Sequence, residues 1–217
     1  MRLTSFCIIG LGNFGRTLAE TLASRGNQVL VIDIDDKQIS EIADKVTNAV
    51  VGDATDEAVL KAAGVKSYDC AIVCLGQHMQ DSILVTLMLK EMGLRKIVAR
   101  ALSDRHSKVL SRVGADQIVF PEKDMALKTA YALSKTDVLG FIEYSKDFSI
   151  VELKTPRKWV GRSIKELNVR QRFGVNIIAT LDVTGDFKLF ADPERKFGAE
   201  ETLIIIGQND SIEKLTK

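Results

Sequence analysis

Three glycines, Gly10, Gly12 and Gly15, follow the apolar run Phe6–Ile9 and open a segment with helical periodicity, Phe14–Ser24. The run Gly10-Leu11-Gly12-Asn13-Phe14-Gly15 is a GxGxxG turn in a strand–turn–helix context. Its chemistry is recognition of a pyrophosphate without bond making. Gly10 permits a tight turn, Gly12 lets the backbone approach a phosphate, and Gly15 lets the helix sit close to a sheet. The free N–H groups and the dipole at the helix start attract the negative charge. Asp33 lies 18 residues beyond Gly15, at the end of a second apolar run. Its carboxylate can accept from both ribose hydroxyls and would repel a 2′-phosphate, which disfavours NADP.

Further residues fall after later apolar runs, where open α/β sheets hold ligands. Gly52-Asp53-Ala54-Thr55 follows the third run, with Asp53 toward an adenine edge. Leu75-Gly76-Gln77-His78 follows the fourth run and is placed to line a phosphate crevice, and Arg100 ends the fifth as a phosphate partner. Each has an alternative reading as a helix cap or surface side chain. His78 and His106, the two histidines, are expected on a loop or helix surface. Cys7, Cys70 and Cys74 lack metal-type spacing and are expected to be buried and reduced.

The elements that position these residues alternate. Strand-like runs occur at Phe6–Ile9, Gln28–Ile32, Ala49–Val51, Cys70–Leu75, Ile97–Ala99 and Gln117–Phe120. Helical stretches lie between them at Phe14–Ser24, Asp36–Lys45, Glu57–Ala63, Asp81–Met92 and Asp104–Val113. The strands lack polar alternation, as strands covered on both faces do. Gly26, Gly64, Gly93 and Gly114 each follow a helix, where φ > 0 closes the end. The fold class is therefore α/β, a doubly wound parallel Rossmann sheet, followed by a smaller α+β domain. A helix is predicted over Glu122–Lys135, then strands at Ser149–Leu153, Val175–Leu181, Phe187–Phe190 and Thr202–Ile206. Ser163 and Glu166 have capping-box spacing for a short helix, Ser163–Leu167. The polar stretches between 136 and 147 put the domain boundary there, giving 1–136 and 137–217.

Composition narrows the function classes. Thirty basic and 29 acidic residues leave a net charge of +1, which provides no basic face for nucleic acid. No apolar run reaches the ~18–20 residues of a membrane span or forms a signal peptide, so a cytoplasmic chain is expected. A redox-sensing transcription regulator would need a basic recognition helix at one terminus, and neither terminus has one. A small NAD-dependent oxidoreductase would need a proton donor or acceptor over the cofactor. Beyond residue 136 there is no histidine or cysteine and a single tyrosine, Tyr144.

The sequence resembles the RCK/KTN gating-ring subunits of bacterial Trk/Ktr potassium uptake systems. The shared segments include Gly10–Gly15, Val31-Ile-Asp-Ile34, Gly52–Thr55, Ala115-Asp-Gln-Ile118 and Pro121-Glu-Lys-Asp-Met125. They continue through Ser149–Leu153, Val160-Gly-Arg-Ser163, Leu167-Asn-Val-Arg170 and Leu203-Ile-Ile-Ile-Gly207. The resemblance implies a TrkA-C-like (RCK C-terminal) second domain and an octameric ring built from dimers. The ring would lie at the inner face of the membrane, on a potassium-translocating partner. It implies ATP, ADP or NAD(H) held by Gly12, Asn13, Phe14, Asp33, Ile34, Asp53, Ala54, Thr55 and Arg100. It also implies a divalent cation, Mg2+ or Ca2+, at Glu122. In the second domain it implies cyclic di-AMP, with Arg170 toward phosphate and Asn176 toward adenine. One departure stands out: relatives carry arginine, addressed to the terminal phosphate of ATP, where this chain has Asn13.

Overall fold

The computed structural model describes residues 4–76, 78–134, 138–145, 147–189 and 192–215. The expected boundary between 136 and 137, and the predicted ends at Lys135 and Phe190, lie outside those residues. The chain divides into two compact units, 1–121 and 122–217.

The first unit alternates strand and helix as the sequence predicts. It runs β1 (Ser5–Ile9), α1 (Asn13–Ser24), β2 (Gln28–Asp33), α2 (Asp36–Ile42) and β3 (Asn48–Val51). It continues with α3 (Glu57–Ala62), β4 (Cys70–Val73), α4 (Met79–Glu91), β5 (Ile97–Arg100), α5 (Asp104–Val113) and β6 (Gln117–Val119). The six strands form one sheet in the order β3-β2-β1-β4-β5-β6, and every pair is parallel. This is the Rossmann order, whose direction of winding reverses between β1 and β4.

Alternate residues of one strand feed opposite cores. Ile8 joins Val29, Val31 and Ile72 under Ala19 of α1 and Ile39 and Ile42 of α2. Cys7 and Ile9 face the other way, with Leu30, Ile32 and Val73, under Leu60 of α3, Val85 and Leu89 of α4 and Leu110 of α5. Both faces are dry, which is why the strands read as continuous apolar runs. The three cysteines are free and buried among these residues. Burial pushes the Cys7 thiol well above its ordinary pKa, Cys70 up to about 11 and Cys74 up to about 12.

The second unit contains α6 (Pro121–Ser134), β7 (Val138–Glu143), β8 (Phe148–Lys154), α7 (Ile164–Leu167) and α8 (Val169–Phe173). Then come β9 (Val175–Leu181), β10 (Phe187–Leu189), β11 (Thr202–Gln208) and α9 (Asn209–Leu215). Its five strands pair antiparallel in the order β10-β9-β11-β8-β7. The fold class is thus α/β with a smaller α+β unit. Trp159 centres the second core, 5.0 Å from the Phe173 ring and 6.0 Å from Phe197. The predicted capping box is present: Glu166 N–H donates to Ser163 Oγ at 3.2 Å, and Ser163 N–H to Glu166 Oε2 at 2.9 Å. Among the described residues, no helix is long and apolar enough to cross a membrane.

Candidate functional site

The reversal in winding places the starts of α1 and α4 at the carboxyl ends of β1 and β4. Gly10 leaves β1 with φ +96°, a conformation that L side chains rarely adopt. A Cβ there would also lie 3.1 Å from the Cys74 carbonyl carbon. A Cβ at Gly15 would run into the Gly10 carbonyl oxygen, so α1 packs directly on the turn. Gly12 differs from both. It caps α1, and nothing lies within 4 Å of where its Cβ would be. The space above the helix start is open.

The α1 terminus is also electrically uncompensated. Asp35 caps α2 by accepting from Lys37 N–H, Asp56 caps α3 from Ala58 N–H, and Ser103 caps α5 from His106 N–H. α1 has neither a capping side chain nor an acidic residue in its first turn. Orphan N–H groups and the positive end of the dipole therefore face open space, which favours an anion.

Asp33 ends β2 beside this turn, half-buried. Its Oδ2 accepts from Leu11 N–H at 2.5 Å and its Oδ1 from Asp35 N–H at 2.9 Å. It braces the glycine turn as well as lying where a ribose would. A cavity of about 230 Å3 gathers Asp33, Ile34, Asp53, Ala54 and Thr55 over a floor of Ile9, Ile32 and Leu75. Asp53 holds a tight turn, accepting from Thr55 N–H at 2.8 Å and Thr55 Oγ1 at 2.7 Å. Those two bonds, the hydroxyl first, hold its carboxyl below the usual carboxylate range. Ile34 is 71% exposed at the cavity edge. His78, at the start of α4, also lines the cavity, in keeping with the placement of Leu75–His78 at the crevice, and so does Asp81, which the sequence reading did not single out. Its position just after β4 was the available signal.

Asn13 is exposed at the first helical position, and Phe14 packs partly into the core beneath α1. Arg16 faces α2, donating to Gln38 Oε1 at 2.7 Å and Glu41 Oε2 at 3.0 Å. Arg100 ends β5 with its guanidinium against Gly76. Glu122 lies in the first turn of α6, in the second unit. Arg170 on α8 and Asn176 on β9 are both exposed in that unit. Among the described residues, no group of three or more His, Cys, Asp or Glu side chains gathers to hold a metal.

One expectation fails. His106 is 1% exposed, not on a surface. Leu102 N–H points at its Nδ1 at 3.3 Å and Ser82 Oγ lies 2.9 Å from its Nε2. With Nδ1 accepting, the proton sits on Nε2 and is donated to Ser82, which is itself fully buried. The pair is a structural tie between α4 and α5, in the wrong tautomer and place for a nucleophile and base. The helical spacing of His106 and Leu110, both buried, was the sign that histidine lies on the packed face.

The comparisons with known proteins cover both units. The TrkA-N domain model matches residues 6–121 and the TrkA-C domain model residues 148–217. The Ktr system potassium uptake protein C of Bacillus subtilis is 38% identical over 214 residues, 98% of this chain and 96% of its own. The fold is shared with the GsuK channel bound to NAD, at TM-score 0.68 and 23% identity. That match covers 100% of this chain and 40% of the channel's. The Kef CTD of Shewanella denitrificans in its AMP-bound form matches at TM-score 0.53 and 25% identity, over 60% of this chain and 79% of its own.

Proposed function

The chain belongs to the family that joins a TrkA-N to a TrkA-C domain, and from that premise we propose that it is the nucleotide-sensing regulatory subunit of a Ktr-type potassium uptake system. The observation that carries the reading is the bare α1 terminus under Gly12, next to the Asp33–Asp53 cavity. Phosphate meets the helix start, ribose meets Asp33, and the base enters the cavity. The Kef CTD neighbour, matched over 60% of this chain, is in an AMP-bound form. ATP and ADP are the primary ligands in this reading, with NAD(H) using the same turn. Gly10, Gly12, Asn13, Phe14, Gly15, Asp33, Ile34, Asp53, Ala54, Thr55, Gly76 and Arg100 form the site. Asn13 and the engaged Arg16 leave the terminal phosphate of ATP without a dedicated arginine from α1.

The nucleotide acts as a signal by binding one shape of the assembly more tightly than the other. That assembly is an octameric ring of dimers on the cytoplasmic face of a potassium-translocating membrane subunit. Glu122 is a ligand for Mg2+ or Ca2+. It supplies one carboxylate of the six or so oxygens such an ion takes. The exposed Arg170 and Asn176 give the second unit its cyclic di-AMP site.

The second reading is a small NAD-dependent oxidoreductase, which the shared turn favours. Titration of ATP, ADP and NADH by calorimetry, with small-angle scattering of each complex, tests the sensing role. The expected result is a ring whose dimensions differ between ATP and ADP; identical scattering would refute sensing. Oxidation of NADH by common carbonyl substrates would favour the enzyme instead.

A further inference from the structure

Arg100 is set in the crevice by a glycine it touches. As β4 ends, Cys74 passes over the first glycine turn. A Cβ on Gly10 would lie 3.1 Å from the Cys74 carbonyl carbon and 3.2 Å from its oxygen, and one on Gly15 would lie 3.2 Å from Cys74 Cβ. Two residues on, Gly76 meets the end of the Arg100 side chain. A Cβ on Gly76 would collide with Arg100 Nη1 and lie 3.1 Å from Cζ and 3.3 Å from Nη2. The three nearest atoms all belong to the guanidinium, with Nη1 the closest. Gly76 is not among the positive-φ glycines, so its backbone does not require the residue type. The missing side chain is what is used.

We propose that Gly76 is a positioning residue that fixes Arg100 where the phosphates of a bound adenine nucleotide lie, an inference that rests on the nucleotide reading above. The guanidinium reaches from the end of β5 to Gly76 at the exit of β4. Its charge also reaches the Cys74 thiol, whose pKa it pulls down against the larger upward effect of burial. A methyl group at 76 displaces the far end of a flexible side chain and leaves backbone and core in place. The fold survives and the cation moves.

The test is calorimetry of the full chain with adenosine, AMP and ADP, on wild type, G76A, R100Q and the double variant. G76A is expected to weaken ADP by about tenfold, the scale of one charge-assisted phosphate contact, while adenosine binding holds. R100Q is expected to match that loss. In the R100Q background G76A should cost nothing more, because no guanidinium remains to be pushed aside. Unchanged ADP binding by G76A, equal losses for adenosine and ADP, or losses that add in full would each overturn the proposal. If wild type binds none of the three ligands, the nucleotide reading itself falls, and this inference falls with it.

Discussion

Replacing Asp33 with asparagine keeps the shape of the side chain and removes its charge and one of its two acceptor atoms. In the native chain each carboxylate oxygen takes a backbone N–H, Leu11 at 2.5 Å and Asp35 at 2.9 Å. Whichever way the amide turns, one of these N–H groups faces an NH2, and the surviving bond is neutral. Hydrogen bonds to a charged partner contribute about 1.5–3 kcal/mol and neutral ones about 1 kcal/mol. Asp33 is only half-buried, so water partly satisfies the lost donor. The expected cost is therefore about 2 kcal/mol, near the lower end of that range. For a chain of this size, 1 kcal/mol moves the melting midpoint by about 2–4 °C, giving a fall of roughly 4–8 °C without ligand. The same change removes a charged acceptor from the ribose, which should weaken ADP by about 10- to 100-fold. Thermal unfolding of the ligand-free variant and calorimetry with ADP read the two effects separately. An unchanged midpoint would refute the bracing role of Asp33, and unchanged affinity its ribose role.

Other expectations follow from the same geometry. Asn13→Arg places a cation at the open start of α1, and should raise ATP affinity relative to ADP by roughly three- to tenfold. An unchanged ratio in calorimetry would count against that contact. Burial holds the His106 imidazole below its ordinary pKa, so the unfolded chain takes up a proton at a higher pH than the folded one. Stability should then fall as pH drops below about 6.5, and the fall should be shallower in His106→Gln, read as urea midpoints. Equal slopes would show that another group governs the acid limb. Arg170→Ala should abolish cyclic di-AMP binding at micromolar concentration while leaving ADP binding intact; parallel loss of both would refute separate sites.

Much of this was legible because local signals agreed with the fold. The first unit's strands declare themselves by being apolar on both faces, and Gly26, Gly64, Gly93 and Gly114 do take positive φ after their helices. The turn and Asp33 could be read together because their spacing is fixed by one strand–helix–strand unit. β7 was missed: Val138-Leu-Gly-Phe-Ile-Glu143 lies between polar stretches that read as a linker. Its strand character depends on pairing with β8, which local sequence does not report. α8 was also missed, because it begins directly after Asn168, the one described non-glycine residue with positive φ. Such a chain reversal between two short helices carries almost no periodicity. The bracing of Leu11 by Asp33 and the seat of Arg100 on Gly76 are contacts between distant residues, invisible to any local pattern.

The buried cysteines have a practical consequence. Alkylating reagents attack the thiolate, and at neutral pH Cys70, with its pKa pushed up to about 11, is ionised to only about one part in ten thousand. Cys7 and Cys74 are ionised less still, and all three are shielded from reagent by the sheet. A single cysteine introduced at an exposed position would therefore take a fluorophore or spin label selectively, with the native thiols left in place. Nucleotide-driven motion can then be followed on a protein altered at one surface atom rather than stripped of three core side chains.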